Sequence, residues 1–260
     1  MSAVRNIRVV CVLFAVTVSL WVVPTSFAGE VFDAQDLYRR AVPGVVWVDV
    51  SDGHGSGWVL DRERRLIVTN HHVIEKDAEP CVVFPEVRDG RVIAERAFYI
   101  TQKKFFVGRV VMDDARHDLA IIRLDAMPES AAELPLAPEQ VNPGQRVHSI
   151  GQPGASGGMW VYSTGNVRQV YTTPDDAKDR PGVRIVETSV PINPGDSGGP
   201  MVDDEGRVVG VSVSYIVGAN LVTHGIDARE VRDLQQRFVL QQDATAMLRR
   251  FSRQVMAAAW

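Results

Sequence analysis

One serine lies in a glycine-rich turn whose composition suits a nucleophile. Ser197 is flanked by Gly195, Gly198 and Gly199 within the segment 191–211. A serine hydroxyl attacks a carbonyl only when a base takes its proton, and the developing oxyanion needs amide donors. Glycine permits the unusual backbone angles that let the amides of Gly195 and Ser197 point into one concavity. The alternative is an ordinary glycine-rich turn with an incidental serine.

Two adjacent histidines upstream are candidate bases. His71 and His72 follow a short β-branched run, and histidine is the side chain that most readily exchanges a proton near neutral pH. Asp118 begins an apolar run, where a buried carboxylate needs a partner such as an imidazole N–H. The order His, Asp, Ser is a known chain order for a catalytic triad. A metal site on His71, His72 and His117 is the competing hypothesis, but no cluster of acids or cysteines with ligand spacing accompanies these histidines.

Short β-rich runs broken by Gly, Pro, Asn and Asp must position these residues. They form two groups, 44–50, 55–61, 65–70, 91–100, 105–112 and 118–125, then 145–151, 159–172, 183–190, 207–216 and 220–226. Such spacing predicts a β-sandwich or barrel rather than βαβ units. The proline-rich stretch 126–144 is predicted to connect two β-domains of similar size.

The character of the chain changes after residue 226. Asp227 and Asp243 are each placed to cap a helix, so the segment 227–260 is predicted to hold two short helices. In the second helix, one face carries apolar side chains, namely Met247, Leu248, Phe251 and Val255. A helix that packs on the domain and closes it is favoured over a membrane or partner helix.

The first residues indicate export. Arg5 and Arg8 precede the apolar stretch 9–23, and Ser26-Phe27-Ala28 gives a small-x-small cleavage pattern, so residues 1–28 are predicted to be a signal peptide cut after Ala28. The alternative is an uncleaved N-terminal anchor.

Charge and cysteine content narrow the classes of partner. Cleavage would remove two arginines and change the formal charge from −4 to −6, and it would leave Cys81 as the single cysteine, without a disulfide. An acidic chain is a poor partner for nucleic acid, and we expect neither a cofactor nor a metal. After cleavage we expect no membrane partner, and the oligomeric state stays open.

At the histidine, aspartate and serine segments, the sequence resembles a known family. The segments "TNHHV", "HDLAIIRLD" and "NPGDSGGPMVDDEGRVVGV", with "GSGWVLD" ahead of them, resemble the trypsin-like serine proteases, and most closely the bacterial HtrA (Deg) branch. The resemblance covers roughly residues 35–240. It implies an all-β fold of two six-stranded antiparallel barrels, about 42–125 and 145–226, within a protease domain 29–240 that short C-terminal helices follow.

The resemblance also assigns roles. The family's histidine is fourth in Thr-Asn/Ala-x-His, which makes His72 the general base and His71 the variable position. Asp118 would orient His72, Ser197 would be the nucleophile, and the amides of Gly195 and Ser197 would form the oxyanion hole. His117 is then expected to be a surface side chain.

The substrate pocket can be assigned in outline from the same resemblance. In this family the pocket for the residue before the scissile bond (P1) is lined by positions that correspond here to Pro191, Ile192, Val213, Ser214 and Tyr215. No acid lies six residues before Ser197, so a basic P1 side chain would lack a counter-charge, and a small or medium apolar P1 residue is favoured.

This chain departs from the family's pattern in four places. We expect no PDZ domain after Ser197. The segment 79–105 is longer than the expected compact hairpin, and we favour a longer hairpin over a substrate-facing flap. Asp196 matches animal trypsins, but the predicted mature start "GEVFDAQ" does not suit zymogen activation. The resemblance also leaves the loop 151–160 undefined.

The sequence therefore predicts an exported serine endopeptidase that acts on protein or peptide substrates in quality control or processing, in the periplasm or outside the cell. A latent or non-catalytic trypsin-like domain that only binds peptides is the alternative, because intact triad residues do not exclude a site that needs a partner to assemble.

The two histidines give a first prediction. His72→Ala should lower peptide turnover by several orders of magnitude, the scale expected when a triad member is lost. His71→Ala is its matched control and should change turnover far less. Steady-state hydrolysis of a peptide substrate measures both, and equal impairment would show that the wrong histidine had been chosen.

Overall fold

The computed structural model describes residues 32–154, 156–174, 182–213 and 222–258, with side chains as far as Leu248. The predicted signal peptide lies outside these residues. The first half holds α1 (Ala34–Ala41), β1 (Val45–Val50), β2 (Gly53–Asp61), β3 (Leu66–Thr69), α2 (His71–Ile74), β4 (Cys81–Val83), β5 (Val87–Arg88), β6 (Arg91–Val92), α3 (Arg96–Gln102), β7 (Phe106–Asp114) and β8 (Leu119–Leu124). The second half holds β9 (Arg146–Gly151), β10 (Val161–Thr172), β11 (Arg184–Thr188), β12 (Pro200–Val202), β13 (Val208–Val213), β14 (Thr223–Asp227) and α4 (Ala228–Ala258).

Twelve of these strands close into two antiparallel barrels. The first has the strand order β1-β2-β3-β8-β7-β4 and the second β10-β11-β14-β13-β12-β9. The prediction of an all-β fold with two six-stranded barrels is therefore confirmed. Closure removes the exposed edges that an open sheet would leave for other chains to pair with.

Several strands are buried on both faces, which explains their continuous apolar runs. In β1, Val46 and Val48 fill the interior of the first barrel, whereas Val45 and Trp47 join a cluster that also contains residues of the second barrel such as Ile185. Successive side chains of a strand point to opposite faces. One face thus packs the barrel and the other packs the contact between barrels.

The predicted connection between the barrels touches both of them. The backbone amide of Leu134 donates to the carbonyl of Val59 in the first barrel, at 3.0 Å. In the second barrel, the carbonyl of Pro135 accepts from the amide of Val208 at 2.7 Å, and the amide of Ala137 donates to the carbonyl of Val208 at 2.8 Å. The stretch 126–144 is therefore hydrogen-bonded to both barrels.

The predicted strand 91–100 is wrong. Only Arg91–Val92 pair, with β5, and the chain then forms helix α3. The segment "AERAFYITQ" contains residues that a helix accepts, and Tyr99 anchors it because its buried hydroxyl donates to the carbonyl of Ile93 and accepts from the amide of Glu86. The long segment is thus a short hairpin followed by a helix.

The two predicted C-terminal helices are one helix. α4 runs for 31 residues through Asp243, which is an interior residue and not a cap. No glycine or proline interrupts residues 228–258, and an aspartate inside a helix costs only a few tenths of a kcal/mol, roughly, so the helix continues. Of the predicted apolar face, Met247 and Leu248 are exposed, and the side chains of Phe251 and Val255 lie outside the described part.

The first turns of α4 do close the fold. Val231, Leu234 and Phe238 are buried in the cluster between the barrels. Among the described residues, no helix is both long enough and apolar enough to cross a membrane.

Substitution of Phe238 tests this packing. Its ring is 1% exposed, and the Arg123 guanidinium stands 5.4 Å from the ring centroid. Phe238→Ala should lower the free energy of unfolding by about 3–5 kcal/mol through the cavity it leaves. The matched control, Leu240→Ala, removes a side chain that is 68% exposed and should change stability by less than about 0.5 kcal/mol. Urea unfolding measures both, and similar small losses would contradict the packing.

Candidate active site

Ser197 lies in a tight turn that only glycine allows. The amide of Asp196 donates to the carbonyl of Asn193, and the amide of Gly199 donates to the carbonyl of Asp196, both at 3.0 Å. The φ angles of Gly195 and Gly198 are 103° and 86°. A Cβ at Gly195 would lie 2.3 Å from the carbonyl oxygen of Gln152, and one at Gly198 would lie 2.2 Å from that of Ser56. Both positions therefore exclude a side chain.

A serine of the first barrel holds this turn of the second barrel. The amide of Ser56, in β2, donates to the carbonyl of Ser197 at 2.8 Å, and its hydroxyl donates to the carbonyl of Gly195 at 2.8 Å. The same hydroxyl accepts from the amide of Gln152 at 2.9 Å. Sequence reasoning used "GSG" only as part of a motif and missed this residue. The sequence feature that could have indicated Ser56 is the adjacent Gly55, because a Cβ there would lie 3.0 Å from the carbonyl oxygen of Ser197.

His72 and Asp118 meet at the mouth of the first barrel. His72 is the second residue of the short helix α2, and its Nδ1 lies 2.9 and 3.0 Å from the two carboxylate oxygens of Asp118. The backbone amide of His72 also donates to Asp118 Oδ1 at 3.0 Å. Because the carboxylate only accepts, the proton belongs on Nδ1, which leaves Nε2 able to act as a base.

The position of Asp118 is strongly constrained. Its side chain is almost completely buried, and its φ of 53° lies in the left-handed region. The buried side chain of Asn70 donates to the carbonyl of Asp118 at 2.8 Å. Asn70 was absent from the predicted site residues, although it lies beside the two histidines in the sequence.

The other two histidines of the competing metal-site hypothesis, His71 and His117, contact different carboxylates. His71 Nδ1 lies 2.6 Å from Asp113, and His117 Nδ1 lies 2.9 Å from Asp114. His117 is therefore partly buried and hydrogen-bonded to Asp114, not the surface side chain expected. Arg237 of α4 also contacts Asp114. Within the described residues no group of three or more His, Cys, Asp or Glu side chains is arranged to hold a metal.

One cavity brings the candidate nucleophile and base together. It has a volume of about 270 Å³, and its lining includes His72, Gly195 and Ser197, with His54 and Pro194 beside them. A larger cavity of about 340 Å³ lies beside α4, and its lining residues, which include Arg123 and Phe238, hold no candidate base and nucleophile. The smaller cavity is therefore the candidate active site, because of the residues that line it and not because of its volume.

The predicted substrate-binding residues are only partly described. Pro191 is exposed, whereas Ile192 and Val213 are buried in apolar clusters. These three are not among the residues that line the cavity at Ser197. Ser214 and Tyr215 lie outside the described residues, so the assignment of the P1 pocket stays a prediction.

Asp196 is buried, and the described part of the chain gives it no counter-charge. Its carboxylate accepts from the amide of Asn193 at 2.8 Å, and no basic side chain of the described residues forms an ion pair with it. Burial raises the pKa of Asp196 to about 6, although the Asn193 amide opposes this rise. The carboxyl therefore closes the turn 193–196 at a cost in stability when it is ionised.

Comparison with known proteins agrees with this geometry. A family model described as Trypsin-like peptidase domain matches residues 55–211. The chain is 27% identical over 195 residues to Protease Do-like 1, chloroplastic, from Arabidopsis thaliana, which covers 68% of this chain and 40% of that protein. It is 29% identical over 163 residues to "Probable periplasmic serine endoprotease DegP-like" from Marinomonas sp., which covers 61% of this chain and 29% of that protein.

A solved structure shares the fold. An inactive form of Rv3671c from M. tuberculosis matches with a TM-score of 0.64 and 22% identity, over 82% of this chain and 98% of that one. The matches confirm the resemblance to HtrA (Deg) proteases. The chain spans less than half the length of the two curated relatives.

Asp196→Asn should stabilise the protein at neutral pH. The folded protein binds this proton more tightly than the unfolded chain does, because the pKa is about 6 against an ordinary 3.8. The free energy of unfolding therefore falls as pH rises from about 4 to about 6, and the amide avoids that loss. We expect a gain of about 1–3 kcal/mol at pH 7.5 and little at pH 4. Denaturant unfolding across pH measures it, with exposed Asp89→Asn as control, and an equal gain at both pH values would contradict it.

Proposed function

The chain belongs to the trypsin-like peptidase family, and on that premise we propose that it is an exported serine endopeptidase. The observation that carries the proposal is that His72 and Ser197 line one cavity while Asp118 holds His72 Nδ1 from behind. A nucleophile, a base and a group that orients the base are the minimum for acyl transfer through a serine.

The proposed reaction proceeds in two halves. His72 Nε2 takes the proton of the Ser197 hydroxyl as its Oγ attacks the carbonyl carbon of the substrate. The oxyanion of the tetrahedral intermediate accepts hydrogen bonds from the amides of Gly195 and Ser197. His72 then gives its proton to the leaving amine, which departs and leaves an ester on Ser197. A water molecule, deprotonated by His72, attacks the carbonyl carbon of that ester. The bond to Ser197 Oγ breaks, the acid product leaves, and His72 returns the proton to the serine oxygen.

Asp118 takes no proton in the proposed cycle. It holds the imidazole in one tautomer and stabilises the imidazolium that forms in each half-reaction. Its burial strengthens this interaction because water screens it little. The two hydrogen bonds from His72, through Nδ1 and the backbone amide, fix the distance between carboxylate and ring.

The substrate class follows from the pocket prediction. Pro191 provides no negative charge for a basic P1 side chain, so we propose cleavage after small or medium apolar residues in proteins or peptides. The apolar stretch 9–23, which follows Arg5 and Arg8, and a relative named as periplasmic support a location in the periplasm or outside the cell. A role in protein quality control or processing fits that location.

A serine-reactive fluorophosphonate tests the proposal. The mature protein should be labelled covalently, and Ser197→Ala should not be, because labelling requires an activated hydroxyl. A casein assay in a strong chelator is the control, and its activity should be unchanged. Absence of labelling under all conditions would leave the peptide-binding alternative. Loss of casein hydrolysis on chelation, with recovery on adding metal, would exclude the triad mechanism.

A further inference from the structure

The segment 84–105, between β4 and β7, contacts the second barrel beside the candidate active site. The carbonyl of Ala94 accepts from the amide of Met159 at 2.9 Å. The ring of Tyr99, on α3, lies 4.9 Å from that of Trp160, measured between centroids. Both partners belong to the loop that runs from β9 to β10. The segment therefore packs against the loop between β9 and β10, which also contains Gln152 and Gly154.

Arg96 extends from α3 towards the cavity at Ser197. Its guanidinium carbon stands 5.0 Å from the centroid of the Trp47 ring, a cation–π contact on a tryptophan that is 4% exposed. Its Nη2 lies 3.5 Å from His54 Nε2. The ring of Trp47 also contacts His54 edge to face, with centroids 6.4 Å apart. Arg96 and Trp47 thus confine the imidazole from two sides.

The edge of the His54 ring that carries Nε2 and Cε1 also faces the turn of Ser197. An ideal Cβ at Gly195 would lie 2.9 Å from His54 Nε2, and one at Gly154 would lie 3.1 Å from Cε1. The amide of Gly154 donates to the carbonyl of Pro194 at 2.8 Å. His54 therefore fills the space between β2, the loop at Gly154 and the Pro194–Gly195 peptide.

Charge also favours this arrangement. Burial lowers the pKa of His54, the positive charge of Arg96 lowers it further, and Asp49 and the carbonyl of Gln152 oppose that shift. At neutral pH the imidazole is uncharged and can remain beside the guanidinium without repulsion. Asp52 and His72 also line this cavity.

We propose that His54 is a positioning residue for the turn that carries Gly195 and Ser197, and that Arg96 of the 84–105 segment keeps it in place. Glycine has no side chain with which to fix its own backbone, so neighbouring groups must hold the peptide before Gly195. The catalytic part of this inference rests on the proposed function. The positioning part concerns the turn itself and is measurable without activity.

Two readouts on four variants test the proposal. The variants are His54→Ala, His54→Gln, Arg96→Ala and Arg88→Ala. Arg88→Ala is the matched control, because exposed Arg88 makes a similar cation–π contact, to Phe98 at 5.6 Å, within the same segment. The readouts are amide hydrogen exchange of the peptide that covers residues 193–199, and kcat and KM for a peptide substrate. Thermal unfolding shows that each variant is folded.

We expect exchange of the 193–199 peptide to be about 10-fold faster in His54→Ala and Arg96→Ala. We expect kcat to fall about 10- to 100-fold, the effect of a misplaced oxyanion donor, while KM changes less than about 3-fold. His54→Gln should recover much of both, because it fills part of the space and can hydrogen-bond the Gln152 carbonyl. Arg88→Ala should match the wild type.

Unchanged exchange in His54→Ala would overturn the proposal, and so would equal effects of Arg88→Ala and Arg96→Ala. A wild type that the fluorophosphonate does not label would refute the proposed function alone. In that case faster exchange in the His54 and Arg96 variants would still establish the positioning role.

Discussion

The hydrogen bonds of Ser56 are the constraint on which the candidate site depends. His72 and Asp118 belong to the first barrel and Ser197 to the second, so neither barrel carries the set alone. Apolar contact between the barrels is non-directional and does not by itself set their register. Ser56 supplies directional contacts between them, with two donated bonds to the serine turn and one accepted from Gln152. Because these groups are buried, breaking one bond leaves a polar atom whose desolvation costs roughly 1–3 kcal/mol.

Those parts of the fold and site that depend on local chemistry were predictable. Short β-rich runs and turn residues predicted a sandwich or barrel, the family resemblance specified two six-stranded barrels, and the glycines indicated the turn at Ser197. The choice between His71 and His72 came from the family motif, and the structure pairs His72 with buried Asp118. Ser56 and His54 were not found, because their roles depend on partners about 140 residues away, such as Gly195. The sequence does not distinguish a polar side chain that is exposed to solvent from one that is buried against the other barrel.

The errors in secondary structure have physical causes. The run 91–100 contains β-branched and aromatic residues typical of strands, but helix α3 forms because Tyr99 finds both apolar and hydrogen-bonding partners. Asp243 resembled a helix cap, and yet capping matters only where a helix must begin. With no breaker on either side, the backbone bonds of α4 simply continue. In both cases tertiary packing or continuity outweighed a local preference.

Strands with two buried faces make the folding unit larger than either barrel. Trp47, Trp58 and Leu66 belong to the first barrel, but they pack in the cluster that the second barrel and α4 complete. A chain in which only one barrel had formed would expose these apolar side chains to water. Because such a species exposes apolar surface at a cost in free energy and is prone to aggregate, we expect the two barrels to fold and unfold together. Any partial loss of the contact between barrels would therefore endanger solubility together with activity.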